Sequence, residues 1–480
     1  MDGEGFAFGR FVIEPDRRIL VRDGVPVAAG ARMMAILIAL LRADGQVARK
    51  EELIEAAWPR MAIEESNLSV QIANLRRLLG RQPDGSGWIV TVPRVGYRFA
   101  GQISSGSPRP LPARTLVAVV PFTNAGRSGE VPASEVGDDI IVALSRFGWF
   151  AVTGEDSADA HYRVQGNVQR SGDGFRVAVQ LIEGRTGVRV FAANYESKSA
   201  DVFTAQDEVA QRVAAAVEAS LLRADGRDAH GTTPFDLVKR GSGLFHRITP
   251  RTHQEARELF RAAARLAPDH AEAWAWLARV SAGLVGYGWS TDPAADAAEG
   301  IAAGLAGVRA DPASPYAHYG LAIVSIYGGA TDQAIRAAER AVELNSSFAL
   351  GHLVHGLALL AMGDPDRAMT SLRRGIELSP NDPQSFAWLN FLALAQLFSG
   401  SPDAALATAS QVLKLRPDWR VGFETMVCCQ MSAGHLDEAR RTYEHLTVLN
   451  AETAGALKPV FAGNPHWRER IEDLLAGASA

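Results

Sequence analysis

The sequence predicts a multidomain α+β chain: a helix-and-hairpin domain, then a small α/β domain, then an all-α solenoid of helix pairs. Three observations predict this. An amphipathic helix runs directly into a short hairpin between Ser66 and Phe99. Strand-like segments and two helical ones follow from Leu116 to Leu222. From about residue 235 onward a pattern of small residues and prolines recurs at a period near 34. The expected boundaries are 1–102, a linker at 103–115, then 116–225 and 235–475.

In the first domain, Phe6 to Arg22 alternates apolar and polar residues and includes β-branched ones, as short strands do. Arg32 to Ala43 is helical, with Met33, Met34, Ile36, Leu37, Leu40 and Leu41 facing inward, and Gly45 stands at a helix-stop position. Arg49 to Trp58 is a second, shorter helix stopped by Pro59. Ser66 suits an N-cap, because its hydroxyl can accept a free backbone N–H. In the third helix, Leu68, Ile72, Leu75 and Leu79 form one apolar stripe. The opposite face carries Ser66, Ser69, Val70, Ala73, Asn74 and Arg77, flanked by Asn67, Gln71 and Arg76. Trp88 to Phe99 reads as strand, tight turn, strand, with Gly96 expected where the hairpin needs a positive φ. A helix with one apolar stripe and an outer face of short hydrogen-bonding side chains can dock on a core and enter a DNA major groove.

Strands, three helices and a terminal hairpin in this order, with Ala56–Pro59, Ser66–Leu79 and Thr91–Arg98, resemble the OmpR/PhoB-type winged-helix transcription regulators over the first hundred residues. The resemblance implies double-stranded promoter DNA as the partner, with RNA polymerase as a second one. It places Ser69, Val70, Ala73 and Asn74 where the family's recognition helix meets bases. Val70 and Ala73 would allow close approach to thymine methyls, and Asn74 could read adenine in a bidentate way. Asn67, Gln71, Arg76 and Arg77 would contact phosphates, which position the domain without reading sequence. Arg94 and Arg98 fall in or beside the wing, at the minor groove or backbone. Pro93-Arg94 stands where many relatives have Arg-Gly, a departure at the wing contact. Trp88 and Tyr97 read as packing residues.

Charge supports a local rather than a global attraction for nucleic acid. The 480-residue chain has a net charge of −5. Residues 1–100 hold 14 basic and 12 acidic side chains, yet Ser66 to Arg98 contains five arginines against one acid, Asp84. The five lysines are far outnumbered by 44 arginines, which with abundant alanine reads as the bias of a GC-rich genome. The two cysteines, Cys428 and Cys429, are neighbours. They suggest buried small hydrophobes in a reducing cytoplasm rather than a disulfide or zinc framework. The opening Met-Asp-Gly-Glu has no basic, apolar signal pattern, and no stretch approaches the roughly 18–20 apolar residues of a spanning helix. Ser104–Arg114, rich in Ser, Gly, Pro and Arg, reads as a flexible linker.

The middle segment opens with a buried strand, Leu116–Phe122, then a helix over Val136–Arg146. Strands are expected at Tyr162–Val168, Phe175–Glu183 and Val188–Tyr195, and a long amphipathic helix at Asp201–Leu222. With Val117–Phe122, Asp138–Trp149, Gly166–Gly187 and Phe203–Ala214, this segment resembles the TolB amino-terminal-like domain that joins signalling domains to helical repeats. Asp138-Asp139 reads as a solvated helix face rather than a metal site, and no cofactor is expected.

In the repeats, Leu266, Ala310, Leu344, Leu378, Leu415 and Leu449 recur at spacings of 44, 34, 34, 37 and 34. A small residue stands ten positions before each: Ala256, Gly300, Ala334, Ala368, Ala405 and Ala439. Pro268, Pro312, Pro380 and Pro417 follow in four units. This is the tetratricopeptide pattern, in which small residues let paired helices approach and proline ends the second helix. The 44-residue unit should hold an insertion at Gly286–Asp296. Trp274, Trp276, Tyr316, Tyr319, Phe386 and Trp388 read as inter-helix packing, and so do His352 and His355. Such an array offers a surface to a protein or peptide partner, or to a second copy in a homodimer.

These features together point to a cytoplasmic one-component transcription regulator without enzymatic activity. A scaffold whose winged helix contacts protein is the alternative. A nucleotide-signalling enzyme is disfavoured by the lack of a phosphate loop, a His-Glu-x2-His site or a Gly-x-Ser-x-Gly elbow.

Overall fold

The computed structural model describes residues 6–14, 19–22, 25–27, 31–58, 65–82, 84–105, 115–124, 133–154, 156–157, 160–171, 174–197, 202–224, 231–380, 382, 384–448 and 457–479. The chain divides into two compact units, Met1–Val217 and Glu218–Ala480.

The first unit begins with strands β1 (Phe6–Phe8), β2 (Phe11–Glu14), β3 (Ile19–Arg22) and β4 (Val25–Val27). Helix α1 (Ala31–Arg42), strand β5 (Val47–Arg49), and helices α2 (Lys50–Ala57) and α3 (Glu65–Leu79) follow. The hairpin is β6 (Ile89–Val92) and β7 (Gly96–Phe99), and β8 (Ser104–Ser105) completes the set. Two sheets result, in the orders β4-β3-β2-β1-β8 and β5-β7-β6. Their shared core is built from the residues whose periodicity predicted it. Ile36, Leu37, Leu40 and Leu41 of α1 are essentially fully buried, as are Leu68, Ile72, Leu75 and Leu79 of α3. Phe8, Phe11, Trp88 and Phe99 close it as an aromatic cluster, with Phe8–Phe99 centroids 4.9 Å apart and Phe8–Trp88 at 5.3 Å.

Three expectations are corrected here. Gly96 does not have a positive φ; the left-handed residue of the turn is Arg94, at φ 64°. Gly96 is required for a different reason: a Cβ there would lie 2.0 Å from the Ala48 carbonyl oxygen. Ser66 is not the N-cap, because α3 already includes Glu65, so the cap falls outside the described residues. The linker expected from residue 103 begins later: Ser104 and Ser105 pair with Ala7 and Phe6 as an added strand. The stop expected at Pro59 and the remainder of the linker lie outside the described residues.

The remainder of this unit is a second sheet system. It comprises β9 (Leu116–Val119), β10 (Thr123–Asn124), helix α4 (Ala133–Ser145), β11 (Ala151–Thr153), β12 (Tyr162–Ser171), β13 (Gly174–Glu183) and β14 (Arg189–Ser197). The order is β11-β9-β12-β13-β14, with β10 beside β12. The short strands β10 and β11 were not foreseen; two or three residues are too few to show an alternation. Asp138 and Asp139 on α4 are not a solvated face as expected. Both are half-buried, and desolvation pushes each carboxyl up to about 6.

Helix α5 (Val202–Ala224) leads into the second unit, which is all helical. The pairs are α6 (Pro234–Phe245) with α7 (Pro250–Leu266), α8 (Ala271–Gly286) with α9 (Pro293–Ala310), and α10 (Pro315–Tyr327) with α11 (Thr331–Leu344). Next come α12 (Ala349–Met362) with α13 (Pro365–Leu378), α14 (Ser385–Phe398) with α15 (Pro402–Leu415), and α16 (Arg420–Ser432) with α17 (Leu436–Val448). Helix α18 (Pro465–Ser479) ends the unit. The small residues that phased the repeat are buried in every second helix: Ala256, Gly300, Ala334, Ala368, Ala405 and Ala439. A Cβ on Gly300 would come within 2.5 Å of Val324, which shows how closely α9 and α10 approach. The expected insertion is shorter as a loop than predicted. Helix α8 runs to Gly286 and α9 starts at Pro293, so only Tyr287–Asp292 connects them. Cys428 and Cys429 are both fully buried, and desolvation raises both thiols. His352 and His355 make local hydrogen bonds, to the Ser346 carbonyl at 3.0 Å and to Ser371 Oγ at 2.9 Å.

Candidate nucleic-acid interface

Helix α3 is held by its apolar stripe, so its other face is fixed outward. Ser66, Asn67, Ser69, Val70, Ala73, Arg76 and Arg77 are exposed, and Gln71 and Asn74 are half-exposed. Val70 is 56% exposed, which leaves an apolar side chain open on this face. The residues expected at bases, Ser69, Val70, Ala73 and Asn74, therefore share one open face. Asn74 Oδ1 accepts a bond from Arg77 Nη1 at 3.4 Å, which ties the two outer side chains together.

The wing sits beside this helix through one side chain. Arg76 Nε donates to the Ile89 carbonyl at 3.1 Å, and Nη2 donates to Thr91 Oγ1 at 2.7 Å. Its guanidinium also lies over the Tyr97 ring, 5.9 Å from the centroid. Arg76 is thus a strap between α3 and the β6–β7 hairpin, and Nη1 is the nitrogen left without a hydrogen bond among the described residues. The sequence showed Arg76 flanking the outer face but gave no sign of Thr91, its partner fifteen residues on. Trp88 and Tyr97 are buried in the core, as packing residues.

At the wing tip, Val95 N–H donates to the Val92 carbonyl at 3.1 Å across Pro93-Arg94. Proline sets φ at the first central position and Arg94 takes the left-handed second one. The turn is pinned from below, since Lys50 N–H donates to the Val95 carbonyl at 3.3 Å. Arg94 is exposed on the turn, and Arg98 is exposed on β7. Val90 and Val95 are also exposed, at 37% and 45%, so the hairpin presents apolar as well as basic side chains. Arg81 is occupied locally, donating to the Gly85 carbonyl at 2.9 Å. The assembled surface is a groove-width helix face of small polar and apolar side chains, next to a hairpin carrying arginines and valines.

Comparison with known proteins agrees with this geometry. Residues 24–99 match the family described as transcriptional regulatory protein, C terminal, and residues 352–382 match the tetratricopeptide repeat. The transcriptional regulatory protein CutR of Streptomyces coelicolor is 39% identical over 88 residues, covering 18% of this chain and 39% of that protein. A putative adenylate cyclase 3 of Rhizobium meliloti is 25% identical over 266 residues, covering 50% of this chain and 45% of that protein. The solved DNA-binding domain of E. coli CadC is 23% identical, covering 22% of this chain and 97% of that one, with a TM-score of 0.20. The chain spans less than half the length of the curated relatives it matches. No helix among the described residues is long and apolar enough to cross a membrane. The amino-terminal domain is a winged helix of the transcriptional regulatory protein C-terminal type, carried on one chain with tetratricopeptide repeats.

Proposed function

We propose that the chain is a one-component regulator of transcription that binds promoter DNA through α3 and the β6–β7 wing. The observation that carries this reading is the open face of α3, with Val70 exposed among Ser69, Ala73 and Asn74, beside an arginine-bearing hairpin. Direct readout needs short side chains that let a helix approach base edges, and register needs cations at the flanks. Ser69, Val70, Ala73 and Asn74 are assigned to bases; Asn67, Gln71, Arg77, Arg94 and Arg98 are assigned to phosphates or the minor groove. Arg76 acts mainly by holding the wing, with Nη1 available to a phosphate.

The helical repeats serve association, with a protein or peptide, with RNA polymerase, or with a second copy. The middle domain is proposed as a TolB amino-terminal-like connector. The protein is proposed to be cytoplasmic and to have no catalytic activity, notwithstanding its similarity to a protein named a putative adenylate cyclase. Genome-wide mapping of bound DNA, followed by binding to the enriched motif and to random duplex across a salt series, tests the reading. Enrichment of discrete promoter sites and preference for the motif are expected. Uniform binding, or retention on polymerase with no affinity for DNA, would favour a protein-contacting scaffold instead.

A further inference from the structure

The second unit buries a cationic group whose hydrogen-bond donors are only partly satisfied among the described residues. Arg279, on α8, is 4% exposed. Nη2 donates to Gln384 Oε1 at 2.8 Å, while Nε and Nη1 have no hydrogen-bond partner among the described residues. No carboxylate forms an ion pair with Arg279 among the described residues. The nearby acids are engaged elsewhere: Glu218 accepts from the Tyr316 hydroxyl, and Asp382 Oδ1 accepts from the Gln384 backbone N–H at 2.7 Å. The guanidinium does lie over the rings of Phe245, Trp276 and Tyr319, at 4.7, 4.8 and 5.3 Å. Ring faces answer its charge, but they supply no acceptor for in-plane N–H groups. Buried arginines ordinarily have such acceptors, because an unpaired buried donor is costly.

Arg279 lines a partly open cavity of about 60 Å³. Other donors meet there. Gln384 Nε2 donates to the Tyr287 hydroxyl at 2.8 Å, so that hydroxyl's own proton is available to donate outward. Burial pushes the Tyr287 phenol up to about 12, which keeps the proton in place. Trp388 also lines the cavity, and its indole N–H is buried without a partner among the described residues. Tyr319 and Tyr327 line it as well, and the remaining wall is apolar, with Ile323, Ala387 and Phe391 among its members. Tyr287 comes from the loop that makes this repeat longer than 34 residues. The extra residues therefore contribute a wall of the cavity.

A pocket with several convergent donors, an unpaired cation and apolar walls selects an anion with an apolar tail. Volume limits what the cavity encloses. A cavity of roughly 150 Å³ accommodates the six heavy atoms of benzene, so an enclosed space of about 60 Å³ takes two or three heavy atoms, the size of a carboxylate group, and its open side leaves room for a short tail. We propose that this cavity is a binding site for a short-chain aliphatic carboxylate of the size of propionate, its carboxylate enclosed beside Arg279 and its tail at the open side of the cavity. The site stands independently of the DNA-binding reading, since its test measures occupancy and not regulation.

The experiment is calorimetric titration of the full chain with sodium acetate, propionate, butyrate and benzoate at constant ionic strength. Propionamide and sodium sulfate serve as controls. Saturable propionate binding is expected, weaker for benzoate and weaker by about tenfold or more for the neutral amide. Tryptophan emission should change with the same saturation, because Trp388 borders the site. Arg279→Lys should lose about tenfold or more in affinity, since a point ammonium cannot replace the guanidinium fork. Should that variant fail to fold, the size series and the amide control on the native chain still decide. No saturable binding of any short acid, equal binding of propionamide, equal binding of sulfate, or unchanged affinity in folded Arg279→Lys would each overturn the proposal. Binding of a peptide's terminal carboxylate with the free acids silent would overturn it in favour of a protein partner.

Discussion

Arg76 and Arg77 are neighbours on one helix, and the structure separates their roles. Replacing Arg76 with alanine removes the bonds to the Ile89 carbonyl and to Thr91, and the contact with the Tyr97 ring. The side chain is exposed, so each charge-assisted bond is discounted to about 0.5–1 kcal/mol and the ring contact to about 0.5 kcal/mol. The sum is roughly 2 kcal/mol. For a domain near 100 residues this lowers the melting temperature by about 8–16 °C. Arg77 makes one long bond to Asn74, so Arg77→Ala should change stability by less than about 0.5 kcal/mol. On DNA the order reverses in character. Arg77→Ala should reduce the dependence of log affinity on log salt by about 0.9, the value of one lost phosphate contact. Arg76→Ala should weaken binding by loosening the wing, with thermal unfolding of the domain shifted in parallel. The assay pairs calorimetric melting with fluorescence-anisotropy titrations at several salt concentrations. If Arg76→Ala melts like the native protein and changes the salt slope as Arg77→Ala does, the strap reasoning is refuted and Arg76 is a phosphate contact.

Gly96→Ala should abolish folding of the winged helix, because the added Cβ meets backbone at Ala48 and neither strand can yield without breaking the β5–β7 pairing; native-like circular dichroism of the variant would contradict this. Asn74→Ala should cost roughly 1–3 kcal/mol of discrimination between the bound motif and random DNA, measured as the ratio of the two affinities; an equal loss on both would remove Asn74 from the base-reading set. His253 is fully buried, and desolvation depresses its imidazole to about 3 from 6.5. Its neutral form is favoured on folding, so its contribution is complete above pH 6.5 and is lost as pH falls toward 3, by at most about 1.4 kcal/mol per unit. Asp138 and Asp139 have the opposite sign, since raised carboxyl values make folding take up protons and add stability below about pH 6. The difference between native and His253→Phe unfolding curves from pH 7 to 4 isolates the histidine; a pH-independent difference would show that it stays charged or solvated. Deleting residues 235–480 should lower affinity for the bound motif without changing base preference, and equal affinity in the truncated protein would assign the repeats another task.

Periodicity carried the helices, the cores and the repeat because each of these buries one face at a fixed spacing. Leu68, Ile72, Leu75 and Leu79 could be read from the sequence, and so could the small residue in each repeat, since packing leaves those positions few alternatives. The phasing leucines were less informative: Leu266 and Leu415 proved more than half exposed although Leu378 is buried. Contacts between distant segments were not legible. Thr91 under Arg76, Gln384 under Arg279 and the Ala48 carbonyl against Gly96 depend on how strands and helices meet, which no local spacing encodes. At the wing, the familiar link between glycine and positive φ misassigned the turn, because Pro93 fixes a geometry in which Arg94 occupies that position. The added strand at Ser104 was hidden for a similar reason. Serine, glycine and proline describe a linker, but pairing with Ala7 and Phe6 needs only backbone groups.

Local charge sets what one winged helix can achieve. Of the five arginines between Ser66 and Arg98, Arg76 is committed mainly to the wing and Arg81 to its own loop. That leaves Arg77, Arg94 and Arg98 for phosphates in the proposed complex. Three such contacts give a salt slope of only about −3, far shallower than the −10 of a strongly electrostatic repressor. The net charge of −5 offers no general attraction to make up the shortfall. In the proposed complex, affinity at physiological salt would then draw on a second anchoring point, either another copy of the domain on an adjacent half-site or a partner already on the promoter. Linking two weak modules raises affinity through effective concentration without any new DNA contact. The proposed association role of the repeats would supply that link. If a single domain, measured alone, gave a slope near −6 or steeper, more phosphates would be contacted than these arginines provide, and the need for a second anchor would disappear.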